Sequence, residues 1–228
     1  MPPRTTTPYR SLRSWPVSAD LTNAPVPRSP AALASELAAL IAPLAEPTRV
    51  LLDGVGSAGL ADSLVEGLRD LGRVPVRISA ADFLRPAGVR FEYGREDEQA
   101  FRELWLDDGA LRREVLDAPG GSYLPSLWDA GRDRSTRATA LPLPPRAVLL
   151  VDGVLLLGRG LPAELTVHVA LSPAALTRRG IPAWQLPAFA TYAEDVRPAQ
   201  HCDVLVRAED PLRPAVVVHP GSPGQVSR

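Results

Sequence analysis

Lysine is missing from this chain altogether: its 25 basic residues are all arginine. That absence excludes a lysine phosphate clamp, a Schiff base and a lysine general base. Cysteine is nearly missing too. The single thiol, Cys202, cannot close an internal disulfide and fits a reducing, cytoplasmic setting. His168, His201 and His219 lie far apart and Cys202 has no second thiol at ligand spacing, so these residues do not form a metal site. The one long apolar run, Ala147 to Gly158, is interrupted by Asp152 and is too short to span a bilayer. A net charge of -1 gives no electrostatic case for nucleic acid or a membrane surface as partner.

What is present suits a soluble globular protein: 228 residues, 45% of them hydrophobic, can bury one sizeable core. Residues 1–29 read as a disordered, proline-rich tail, with seven prolines in residues 1–30 and no apolar period. Residues 30–218 read as one domain, and 219–228 as a flexible end. Ser29-Pro30 opens a helix over Ala31 to Leu44, with Leu33, Leu37, Leu40, Ile41 and Leu44 on one face. Arg49 to Asp53 reads as a buried strand, Leu60 to Leu71 as an amphipathic helix, and Val74 to Ile78 as the next strand. Phe91 to Asp117 is helix-like and rich in charge. Later strands are expected at Ala147 to Val151, Leu165 to Leu171, Asp203 to Arg207 and Ala215 to Val218. Such alternation predicts an α/β fold with an open, mostly parallel sheet.

Between the first strand and its helix lies Gly54-Val55-Gly56-Ser57-Ala58-Gly59-Leu60-Ala61. Its frame, Gly54-x4-Gly59, is that of a Walker A phosphate loop, where backbone N–H groups wrap an anion and glycines keep side chains out of the way. The next two positions should be lysine, for the β- and γ-phosphates, and Ser/Thr, for magnesium. Here they are Leu60 and Ala61. The same residues also spell the dinucleotide fingerprint G-x-G-x-x-G, which expects an acidic residue at the end of the second strand. Ile78-Ser79-Ala80-Ala81 offers none, and Asp82 follows late. A third reading is a turn that packs strand against helix. The loop alone leaves all three open.

Segments further along resemble bacterial uridine kinase-like P-loop proteins. Arg49 to Gly54 is similar to their first strand with its Asp-Gly exit, and Ser79-Ala80-Ala81-Asp82-Phe83-Leu84-Arg85-Pro86 to the segment carrying an Asp-Asp-Phe pattern. Phe91 to Asp97 and Leu111 to Asp117 resemble the acceptor-side region. Ala147 to Val154 resembles the Walker B-like strand, and Cys202 to Val206 the strand before the Asp210-Pro211 turn. The resemblance runs in order from about Arg49 to Pro214.

It implies a three-layer P-loop NTPase-like α/β/α fold, a nucleotide such as ATP or GTP or another small molecule as ligand, and phosphoryl transfer. Carried over position by position, Asp152 takes the acidic place that holds Mg2+, and Arg178 and Arg179 that of lid arginines. Phe91 and Tyr93 fall at the acceptor pocket. The family's general base falls on Ala81, leaving Asp82, one residue on, as the candidate catalytic carboxylate. With Leu60, Ala61 and Ala81 at the three reacting positions, the resemblance implies a nucleotide- or phosphate-binding protein that has lost transfer. An active kinase using Asp82, or a dinucleotide-binding domain, are the alternatives.

Overall fold

The computed structural model describes residues 26–117 and 121–219. The N-terminal strand β1 (Val26–Pro27) precedes helix α1 (Pro30–Ile41), whose first turn is capped by the Ser29 hydroxyl accepting from Ala32 N. Strand β2 (Thr48–Asp53), helix α2 (Ser57–Asp70) and strand β3 (Val74–Ser79) follow. A 3-10 turn over Ala80–Phe83 leads to the short helices α3 (Ala87–Arg90), α4 (Glu98–Glu103) and α5 (Asp108–Leu111), the last running into a π-turn over Arg112–Leu116. Two-residue strands β4 (Ser122–Tyr123), β5 (Trp128–Asp129), β6 (Arg134–Ser135) and β7 (Leu141–Pro142) form two small hairpin-like ladders. Then come β8 (Ala147–Gly153), β9 (Leu165–Ala170), α6 (Pro173–Arg178), α7 (Leu186–Asp195), α8 (Pro198–His201), β10 (Val204–Arg207) and β11 (Ala215–Val218).

Seven strands form the main sheet in the order β1-β11-β10-β9-β2-β8-β3. The five from β10 to β3 are mutually parallel, and β11 runs against β10. Val26–Pro27, in the stretch expected to belong to the tail, pairs with Val216 and Ala215 of β11. The rest of that expected tail lies outside the described residues, as do residues 220–228. The charge-rich stretch from Phe91 to Asp117 is helical only in short pieces.

Because side chains alternate along a strand, the sheet buries two separate apolar layers. Val50, Leu52, Val148, Leu150 and Val167 face α1 and α2, meeting Leu37, Ile41, Leu64 and Leu68. Leu51, Ile78, Leu149 and Val151 face the other way, toward Phe83, Leu111, Ala188 and Tyr192. Central strands are therefore apolar on both faces, as parallel strands covered by helices must be. No described helix is long and apolar enough to cross a membrane.

Candidate functional site

At the C-terminal end of β2 the chain turns into α2 within three residues. Gly54 has φ +110° and Gly56 φ +98°, values that side-chain-bearing residues rarely adopt. A Cβ on Gly54 would also lie 2.4 Å from the Val169 carbonyl oxygen. Gly54 N donates to Gly153 O at 2.8 Å, and Ser57 N to Gly54 O at 3.1 Å. The first bond of the helix, Leu60 N to Gly56 O, is 3.2 Å. Gly59 is thus inside the first turn of α2, and the Ala58 and Gly59 amides precede any helical acceptor. The turn consists of Gly54, Val55 and Gly56 alone.

That early start fixes where the next residues point. Ala61 is fully buried in the layer under α1 and α2, and Leu60 packs at its margin. Neither lines the cleft. Ser57 does, and its buried hydroxyl donates to Gly153 O at 3.2 Å. Arg179 reaches the turn from the segment after α6: its Nη1 lies 3.3 Å from where a Gly56 Cβ would stand, and its Nη2 donates to Ala208 O at 3.2 Å. Arg178 instead turns to Glu209 at 3.7 Å, well exposed. The two arginines are therefore split, one at the loop and one in solvent.

Asp152, near the end of β8, is buried, and Arg77 Nη2 from β3 sits 2.6 Å from its Oδ1. The same guanidinium also pairs with Asp62 of α2. A resident arginine thus holds the carboxylate that the resemblance assigned to Mg2+. Among the described residues, no three His, Cys, Asp or Glu side chains gather in a way that could hold a metal ion.

Asp82 lies in the 3-10 turn, half-buried, its carboxyl pushed above the ordinary range by burial and by the charges of Asp152 and Asp129. It does not line the cleft, whereas Ala81 does. Phe91 and Tyr93 do not line it either: Phe91 meets Trp105 edge-on and Tyr93 is exposed. The cavity, about 380 Å³, opens where β2, β3 and β8 end, the crevice where ligands bind in open α/β sheets. Phe101, Trp105, Leu106, Leu155, Arg159 and Ile181 contribute to its walls, and sequence reasoning named none of them. Phe101 and Trp105 sit in the charge-rich stretch, where only their rarity as aromatics set them apart.

Behind the loop is a polar network within the core. Asp53, with no exposed surface, accepts from Leu156 N (2.8 Å), from Tyr192 Oη (2.9 Å) and from His168 Nδ1 (2.7 Å). A carboxylate only accepts, so the imidazole carries its proton on Nδ1. Tyr192 accepts in turn from Leu157 N at 3.0 Å, and burial beside Asp53 pushes its phenol far up. The network joins β2, β9, α7 and the segment after β8 directly under the glycine turn.

No family model matches the sequence, and no curated protein does. Solved structures do match in fold. A possible uridine kinase from Bacillus stearothermophilus aligns with a TM-score of 0.63 at 18% identity, over 75% of this chain and 96% of that one. The YGR205w protein aligns with a TM-score of 0.51 at 9% identity, over 78% of this chain and 93% of that one. At these identities the likeness is one of fold: α/β, with a mostly parallel central sheet.

Proposed function

We propose that this chain is a uridine kinase-like P-loop protein that binds a phosphate-bearing ligand, such as ATP or GTP, without transferring the phosphoryl group. The observation that carries the reading is the start of α2 at Ser57, which leaves a three-residue turn and sends Ala61 into the core. The free amides of Ala58 and Gly59, the positive end of a 14-residue helix and the Arg179 guanidinium remain to attract an anion. Donors for Mg2+ do not fit: the hydroxyl position is apolar and Asp152 is engaged by Arg77. Losing a donor at developing charge costs about 2.7–4 kcal/mol in the transition state, and here a lysine and a metal ligand are gone together.

The test is calorimetric titration with ATP, with and without Mg2+, beside a phosphorylation assay using uridine and related alcohols. Binding that ignores Mg2+, with no turnover, is expected. Ordinary Mg2+-dependent turnover would sink the reading. An active kinase working through Asp82 requires Asp82→Ala to abolish transfer, and the place of Asp82 outside the cavity lining weighs against it. Strand order weighs against the dinucleotide alternative. The dinucleotide fold pairs its first two strands, whereas β8 here lies between β2 and β3.

A further inference from the structure

Away from the glycine turn, the cavity wall is built for something other than phosphate. Phe101 and Trp105 meet edge to face, 5.1 Å between centroids, and Leu84, Leu106, Leu155 and Ile181 continue an apolar lining. Its size is near the lower end of ligand sites, roughly 300–1,000 Å³, which leaves room for one ring or branched chain. A ligand rich in hydroxyl groups finds few partners, because the Ser57 hydroxyl is engaged by Gly153 O and Asp152 by Arg77.

Arg159 is the other charged side chain in the lining. Its Nε donates to Leu155 O at 2.6 Å and its Nη2 to Arg102 O, both neutral carbonyls. Among the described residues no carboxylate comes within ion-pair distance of it. Asp108 and Asp53 favour its charge only from further off, and burial opposes it. A cation in an apolar wall without a counter-ion is unfavourable, and an entering anion removes that cost.

We propose that this cavity binds a compact monocarboxylic acid with an aromatic or branched apolar body, its carboxylate on Arg159 and its body against Phe101 and Trp105. The proposal rests on reading the cleft as a binding site, since Ala81 lines the wall where transfer to an alcohol would need a base.

Phenylacetate and its uncharged counterpart phenylacetamide test it, titrated calorimetrically into the full chain, into Arg159→Met and into Ala81→Trp. Ala81 is exposed and lines the cavity, so tryptophan there fills the space without entering the core. The acid is expected to bind at least about tenfold more tightly than the amide, the worth of one charge-assisted pair. Arg159→Met should erase that preference, and Ala81→Trp should abolish binding of both. No binding of the acid, equal affinity for acid and amide, or a preference that survives in Arg159→Met overturns the proposal. Ala81→Trp keeps the test valid if Arg159→Met does not fold. Parallel titration with ATP separates the two readings. Phosphate turnover would overturn binding-only function and leave the acid site standing, whereas ATP binding without acid binding would overturn the acid site alone.

Discussion

Individual side chains carry this structure's most exacting polar chemistry. Tyr192→Phe removes the donor to Asp53 and the acceptor for Leu157 N together. Each group left unpaired in the core costs about 1–3 kcal/mol, so a destabilisation of a few kcal/mol is expected in a denaturant melt. Cys202 illustrates the opposite case, a buried thiol packed in the core and outside the candidate site. Burial pushes its thiol up to about 12 from an ordinary 9.0. The unfolded chain therefore loses this proton first, and the thiol's contribution to stability falls as pH rises from 9.0 toward about 12. Alkylation of Cys202 at pH 8 should then proceed only at the rate of opening; rapid labelling of the native protein would contradict its burial.

At the scale of elements, arginine does the joining that a lysine-free chain needs. Arg73, 3% exposed, donates to Ala42 O (2.8 Å), Leu44 O (3.0 Å), Thr48 Oγ1 (2.6 Å), Arg146 O (3.1 Å) and Ala147 O (3.2 Å). It ties the end of α1 to the starts of β2 and β8 with a planar fork that no ammonium could match. Arg73→Met should cost about 3–5 kcal/mol by leaving several acceptors unpaired, and Arg73→Lys should recover only part of that in the same melt. The start of α2 makes a second prediction. Leu60→Lys with Ala61→Thr restores the written motif, yet Ala61 lies in the apolar layer. The double variant should gain no phosphoryl transfer and should lose about 1–3 kcal/mol of stability for the buried hydroxyl. Recovery of transfer would mean that the helix start can shift.

For the whole molecule, ligand binding should appear as added stability. ATP at about 100 times its Kd would contribute about 2.7 kcal/mol, which for a chain of this size raises the Tm by roughly 5–11 °C. The same rise is expected in EDTA. A rise that needs Mg2+ would restore the metal site to consideration.

The sequence by itself determined the order of the elements and the parallel sheet. Runs such as Val50-Leu51-Leu52 and Val148-Leu149-Leu150-Val151 are apolar at every position, and only a strand covered on both faces buries them fully. It also determined the chemistry that is missing, because no fold supplies a lysine that the chain does not contain. Tertiary structure decided the rest. Whether Gly59 belonged to a loop or a helix depended on where α2 starts, at Ser57, directly after a turn whose Gly54 lies against β9. That Asp152 meets Arg77, that Ala81 lines the cavity while Asp82 does not, and that Phe101, Trp105 and Arg159 share a wall are all matters of strand order and side-chain placement. Residues far apart in the chain become neighbours only when the sheet brings them there, and local pattern holds no record of that distance.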